Sequence, residues 1–247
     1  MNETWTIVII IIASYLFGSF SMTRLVTKIV APEADIEDTA IEIPDAEAYK
    51  LNTISATTAS LKLGSKVGGI IAMLDMLKGF IPVLVLRLVF PDNYYHLIAA
   101  FFIVAGHNWS IFHRFTGGGG MSTTYGAFFG LNFLATLACS LGGALIGLLV
   151  FRDMVIAYAA GPVLLILWTV VRAIFFAGGW ATVILALALN LLIFLKILPD
   201  LLKYSKMGDM KGKMSSLMDQ TGMGRGMKKL MDLFDGKKGE KKENATE

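Results

Sequence analysis

Cysteine is nearly absent from this sequence. The single thiol, Cys139, lies in an apolar run, which excludes a disulfide framework and a cysteine metal centre within one chain. Histidine is scarce as well, and its three occurrences, none at ligand spacing, speak against a zinc site. Charge is thin: Asp, Glu, Lys and Arg make up 17% of the 247 residues, against 55% hydrophobic ones. That balance excludes a soluble globular chain, because apolar segments of about 20 residues recur and each is long enough to cross a bilayer. No motif implies a bound metal, an organic cofactor or a nucleic-acid partner.

What is present is a series of apolar segments with polar punctuation. Thr4 to Ser21 has no basic residue before it and Arg24 and Lys28 after it. A cleavable signal needs positive charge ahead of its apolar core, so this order predicts a retained helix with its N-terminus outside. Residues 29–65 read as a cytoplasmic loop, with seven carboxylates and no basic residue over 31–49, then a Ser/Thr-rich half carrying Lys62 and Lys66. The acidic half reads as a solvated segment; the second half suits lipid headgroups or a phosphate. Gly68 to Phe90 predicts the second helix, with Asp75 and Lys78 on one face. A charge in the hydrocarbon costs about 2.5–3.5 kcal/mol on insertion scales, so the pair is either self-neutralising or aimed at an anionic substrate. Gly79 and Pro82 predict a helix break just beyond it. Tyr94 to Ile111 predicts the third helix, ending on His107 and Asn108.

Residues 121–151 admit one tilted helix or two short ones, and charge bias decides between them. The segment after residue 202 holds eleven Lys/Arg against five Asp/Glu up to residue 242, a composition that belongs on the cytoplasmic side. One helix would put Arg152 and this tail outside. Two helices split near Ser140 to Gly143, each about 22 Å long, return both to the inside. With further helices over 154–176 and 180–198, the sequence predicts an all-α, polytopic integral membrane bundle of about seven transmembrane helices. It occupies 1–199, with the N-terminus outside and the C-terminus cytoplasmic, as a multi-pass protein of the plasma membrane. The basic, Met-rich tail, 200–247, places Met227, Leu230, Met231 and Phe234 at helical spacing. It reads either as an amphipathic helix on the anionic inner leaflet or as a disordered end.

The polar residues gather in Gly106 to Gly126, GHNWSIFHRFTGGGGMSTTYG. Four consecutive glycines let backbone N–H groups approach an anion, and a helix starting beyond them adds its positive dipole end. The plainer reading is a flexible turn between two helices. His107 is suited either to proton transfer or to holding the loop by hydrogen bonds, and the second is preferred.

SYLFGS at the end of the first segment, LDMLKGFIPVL in the second, GHNWSIFHRF, and the glycine loop followed by Ser-Thr-Thr resemble the acyl-phosphate-dependent glycerol-3-phosphate acyltransferases of bacterial membranes. The resemblance runs from Ser14 to Arg152 and more loosely to residue 199. It implies that the 1-hydroxyl of glycerol 3-phosphate attacks an acyl phosphate at a site open to the cytoplasmic face, giving lysophosphatidic acid and phosphate. It points to Lys78, His107 and Asn108 as catalytic groups. As substrate or phosphate contacts it points to Ser19, Thr57, Gly79, Gly117, Gly118, Gly120, Thr123 and Arg152. The partners it implies are acyl phosphate and glycerol 3-phosphate, or a related polyol phosphate.

The chain also departs from the family pattern. Gly119 stands where the family has a lysine, and KLNT, Ile54 and SATT replace a glycine-rich anion nest, leaving only Ala56 and Thr57 in common. Ser21 and Ser110 replace prolines, Val155 replaces a serine, and KILPDLLK replaces a polar end of the last helix. A lost charged hydrogen bond to phosphate costs about 1.5–3 kcal/mol. Two readings therefore stand: an acyltransferase working with the retained residues, which is preferred, and a catalytically inactive paralogue that binds lipid or a partner. A small-solute transporter is disfavoured, since no inverted repeat is visible and the polar residues cluster toward one membrane face.

Overall fold

Apolar side chains cover the outside of this protein as well as its inside. In the computed structural model Leu134, Phe175 and Ile184 are 76, 74 and 67% exposed, a surface that suits lipid rather than water. The structure describes residues 2–41, 49–50, 53–151, 154–176, 179–206, 225–226 and 229. The predicted tail helix with Met227, Leu230, Met231 and Phe234 therefore lies outside the described residues, as does Arg152.

Helix α1, Glu3–Ser19, starts where the Asn2 side chain accepts the Thr4 N–H, and it stops at Phe20, which is extended. Ser21 then caps α2, Met22–Val30, by accepting the Arg24 N–H at 3.3 Å. The stretch expected to be one solvated loop is partly ordered. Strand β1, Ala40–Ile41, pairs antiparallel with β2, Tyr49–Lys50, and α3, Ala56–Leu63, begins on a reciprocal Ser55–Thr58 cap. The physical reason is a small apolar core: Ile36, Ile54 and Ala59 pack on Ile71 with Met22 and Val26 of α2 against them. Ile36 stands among acids, Ile54 and Ala59 among Ser and Thr, and Ile71 in an apolar run, so no single periodicity announced them.

Helix α4, Ser65–Val89, runs without interruption through Pro82, so the predicted break does not form. Gly79 serves packing instead, since a Cβ there would overlap the Thr123 carbonyl of α6 and come within 2.9 Å of the Ala127 nitrogen. After α5, Tyr95–Asn108, and a short 3-10 turn, Ile111–His113, come α6, Met121–Leu131, and α7, Phe133–Leu145, which continues as a π turn over Ile146–Phe151. Residues 121–151 do divide in two, but at Asn132 rather than near Ser140 to Gly143. Asn132 leaves the helical region at φ −155° and ψ 98°, and its side chain accepts the Ala135 N–H at 3.0 Å to start α7. Gly143 lies inside α7, seated on the backbone of Gly161 in α8, Met154–Phe175. Helix α9, Trp180–Lys206, closes the bundle and continues through Pro199.

Close contacts fix the directions of these helices. Gly18 of α1 meets the Ile103 backbone, and Gly106 of α5 meets Tyr15 and Ser19, so α1 and α5 run side by side in the same sense. Gly126 meets Met76 and Gly130 meets Phe80, which sets α6 parallel to α4. Lys78 meets His107 while Leu86 packs near Tyr95, which sets α4 against α5. Helices α7 and α8 are antiparallel, with Gly143 on Gly161 and Gly147 on Ala157. Val83, Val104, Phe128, Leu165 and Leu189 share the central core. Among the described residues five stretches are long and apolar enough to cross a membrane: Glu3–Val30, Ser65–Val89, Tyr95–His113, Phe133–Phe151 and Trp180–Asp200. Ala159–Phe175 is a shorter apolar helix, and α6, with 11 residues, rises only about 16 Å.

Candidate functional site

At one end of the bundle the ends of α1 and α5, the start of α6 and the middle of α4 enclose a buried polar cluster. Its centre is the Lys78 ammonium, whose side chain has no exposure. It donates to the carbonyls of Gly18 at 3.1 Å and Phe20 at 2.8 Å, and His107 Nδ1 lies 3.0 Å from it. Asp75 Oδ1 supplies the counter-charge, 3.2 Å from Lys78 and 3.4 Å from His107 Nδ1. Lys78 thus clamps the C-terminal end of α1, where free carbonyls and the negative dipole end favour a cation. Of the two expectations for the Asp75/Lys78 pair the self-neutralising one is seen; Lys78 turns to Asp75 and to the Gly18 and Phe20 carbonyls rather than to an open substrate position.

His107 is buried in the same cluster. Nδ1 stands between Lys78 and Asp75, at 3.0 and 3.4 Å, and the Nε2 edge faces the glycine loop. A Cβ on Gly118 would overlap the Nε2 atom. The loop is tied down on both sides: the Gly118 N–H donates to the His107 carbonyl at 3.1 Å, and the Gly117 carbonyl accepts the Ile54 N–H at 3.1 Å. This bond brings the start of α3 to the loop, with Thr57 exposed beside it. Gly120 turns the chain into α6 at φ +81°, a left-handed conformation that glycine adopts freely, and the Asn108 amide occupies the space its side chain would need. A flexible turn was the alternative expectation; these contacts make the loop a fitted part of the site.

The open valences converge at the start of α6. No side chain caps this helix, so its first N–H groups lack intrahelical acceptors. Around them lie three fully buried oxygens with no hydrogen-bond partner: Asn108 Oδ1, Thr123 Oγ1 and Thr124 Oγ1. Asn108 is held in place by donating from Nδ2 to the Leu192 carbonyl at 3.3 Å. Buried polar atoms left unpaired are costly, and such a concentration at one helix start marks a place prepared for a ligand. Ser19 is different. Its hydroxyl donates to the Tyr15 carbonyl of its own helix at 2.8 Å.

Several residues matter here that the sequence did not mark as site residues. Arg24 bridges α2 to the acidic stretch and the loop, donating to Glu37 at 2.9 Å and to the Thr116 carbonyl and hydroxyl at 3.2 and 3.1 Å. Lys196 of α9 lies over the Trp109 ring, 5.9 Å from its centre. Ser110 donates to the Ser19 carbonyl at 2.6 Å, so the serines standing in place of two prolines both make hydrogen bonds, Ser21 as a cap and Ser110 as a tie between motifs. Beside the loop Ile111, Phe112 and Phe115 are exposed, and the Phe112 ring stacks at 5.2 Å on Phe20. Gly119 is the exception in the loop, because a Cβ there would meet nothing within 4 Å.

The fold defines an α-helical integral membrane protein with a buried polar cluster at one end of its bundle. A sequence model described as glycerol-3-phosphate acyltransferase matches residues 8–205, and the chain belongs to that family. It is 42% identical over 89 residues to a glycerol-3-phosphate acyltransferase of Pseudothermotoga lettingae, covering 34% of this chain and 45% of that protein. It is 36% identical over 134 residues to one from Geotalea daltonii, covering 53% of this chain and 61% of that one. For one from Wolbachia sp. of Brugia malayi the match is 32% over 132 residues, 53% and 62% respectively. The matched stretch thus spans less than two thirds of each of these relatives. In fold the chain is similar to PlsY (YgiH), an integral membrane glycerol 3-phosphate acyltransferase, in its glycerol 3-phosphate form. The TM-score is 0.66 at 22% identity over 81% of this chain and 92% of that one. The lysophosphatidic acid form of the same protein gives a TM-score of 0.64.

Proposed function

We propose that this protein transfers an acyl group from an acyl phosphate to the 1-hydroxyl of glycerol 3-phosphate, or of a related polyol phosphate, giving lysophosphatidic acid for phospholipid synthesis. The observation that carries this reading is the meeting of the uncapped α6 start with Asn108 Oδ1, Thr123 Oγ1 and the Nε2 edge of His107 around the glycine loop. In the reaction the hydroxyl oxygen bonds to the acyl carbon and the bond from that carbon to the phosphate oxygen breaks. The phosphate leaves with the electron pair and takes up the hydroxyl proton. The α6 N–H groups and those of Gly117 and Gly120 hold a phosphate, Gly118 fixes the loop on His107, and Asn108 and Thr123 orient the hydroxyl. The donor is already activated, so alignment and charge stabilisation supply much of the rate. Lys78 acts by fixing His107 and the end of α1; Ser19 lies against α5, and Gly79 lets α4 close on α6. Arg152 and Thr57 remain phosphate contacts in this reading.

We read α1, α4, α5, α6, α7, α8 and α9 as seven crossings of the plasma membrane, with the N-terminus outside and the site facing the cytoplasm; the opposed directions of α1 and α4, of α4 and α5, and of α7 and α8 support this. The basic tail then lies against the anionic inner leaflet. A second reading, a catalytically silent paralogue, is favoured by one observation: Gly119 brings no charge to an open position of the loop. An assay decides between them. Protein purified in mild detergent, given palmitoyl phosphate and labelled glycerol 3-phosphate, is expected to form lysophosphatidic acid, and Asn108→Ala is expected to reduce turnover at least about a hundredfold. Folded wild-type protein that forms no product with any polyol phosphate acceptor establishes the silent reading.

A further inference from the structure

A second polar cavity lies at the end of the bundle opposite the glycine loop. It has a volume of about 240 Å³, and Arg87, Asn132, Thr136, Trp168, Arg172 and Thr182 are among the residues of its wall. No Asp or Glu lines it. Arg87 gives Nη1 to the carbonyls of Gly130, at 3.2 Å, and Leu131, closing the end of α6 and leaving Nε and Nη2 without protein acceptors among the described residues. Arg172, in the last turn of α8, has no ion pair among the described residues. Three helices also begin on this wall: α5 at Tyr94, which offers no capping side chain, α7 at Asn132 and α9 next to Gly179. Apart from the Ala135 N–H, which Asn132 already caps, their first N–H groups add partial positive charge to the two guanidiniums.

Arg87 and Arg172 are both exposed residues at the mouth of the cavity, and no carboxylate in its wall pairs with them. An anion between them supplies the missing counter-charge. The guanidinium fork matches phosphate oxygens in pairs, so phosphate is the anion this chemistry selects. We propose that this cavity binds a phosphate group, separate from the acyl-transfer site and at the other end of the bundle. The phosphate belongs to a phospholipid headgroup or to a free phosphate. The chain neighbours of the wall favour the lipid, since Phe133, Phe175 and Trp180 are all more than half exposed on the apolar outside.

The full-length chain, stripped of lipid in mild detergent, is titrated with phosphatidylglycerol, phosphatidylcholine or inorganic phosphate. Binding is read from native mass spectra and from the fluorescence of tryptophan, Trp168 being part of the wall. Phosphatidylglycerol is expected to bind more tightly than phosphatidylcholine, and Arg172→Gln to weaken it about tenfold, with Arg172→Lys in between. Competition by inorganic phosphate assigns the site to free phosphate; its failure to compete assigns it to the headgroup. Equal binding of phosphatidylglycerol and phosphate by wild type and Arg172→Gln overturns the proposal. Arg172→Gln is the main test because Arg87 also closes α6 and its loss endangers folding. Acyl transfer by Arg172→Gln is expected to match wild type, so loss of binding here and loss of the catalytic reading are distinguishable.

Discussion

Lys78 joins three parts of the chain through one nitrogen, and its removal strands Asp75 as a buried unpaired charge. Lys78→Met is expected to lower stability by about 3–5 kcal/mol, and the double variant with Asp75→Asn to lose clearly less than the two single variants summed, both read from thermal unfolding in detergent. Strict additivity would refute the coupling. The loop glycines differ sharply in what they tolerate. Gly118→Ala places its methyl group on the His107 imidazole and is expected to abolish acyl transfer. Gly119→Lys enters open space, so stability is expected to change by no more than about 0.5 kcal/mol while the KM for acyl phosphate falls. An unchanged KM would show that Arg24 or Lys196 already supplies the charge. His107, Asn108 and the glycines were legible in the sequence because polar and flexible residues stand out in an apolar chain. The acceptors of Lys78 were not, because main-chain carbonyls of Gly18 and Phe20 carry no side-chain signature. Arg24 was visible only as a topological charge, since its contact with Thr116 crosses 92 positions of sequence.

The α4–α6 pair places the site, and it depends on backbone contact. Gly126 lies on the Met76 carbonyl, so Gly126→Leu must push α6 away from α4. Overpacking of this kind costs about 1–3 kcal/mol, and here activity is expected to fall further than stability, because the start of α6 moves with it. Circular dichroism melts alongside turnover separate the two effects. The helical membrane character of the chain and the extents of most long helices were legible from apolar run length. The division of residues 121–151 was legible as a need of charge balance, yet its position was not. SLGG looks like a break and is used for packing, with Gly143 against Gly161, whereas Asn132 sits in an apolar context and acts through one cap. Asn132→Ala is expected to cost about 1 kcal/mol, visible as a lower melting temperature. In the same way Gly79 and Pro82 resembled a break, but dense packing on α6 carries the helix through.

The whole molecule is polarised along its axis, with the glycine loop, Lys196 and the acidic stretch at one end and the Arg87–Arg172 cavity at the other. If the proposed orientation holds, a cysteine placed at Asn93 reacts with an impermeant thiol reagent applied to intact cells, and one placed at Glu33 reacts only after permeabilisation; the reverse pattern would invert the protein. The proposed sense of the bundle rests on where lysines and arginines lie, which sequence displays directly. The opposite cavity did not, because its arginines come from distant helices and each alone reads as a terminal charge. The exposed Phe20, Ile111, Phe112 and Phe115 beside the glycine loop have a kinetic consequence. They set the proposed reaction at a boundary between two phases, where one reactant arrives in three dimensions and the other in two. Turnover is then governed by the mole fraction of acyl phosphate among the lipids, so that diluting it with inert lipid slows the enzyme even when its amount per volume is unchanged.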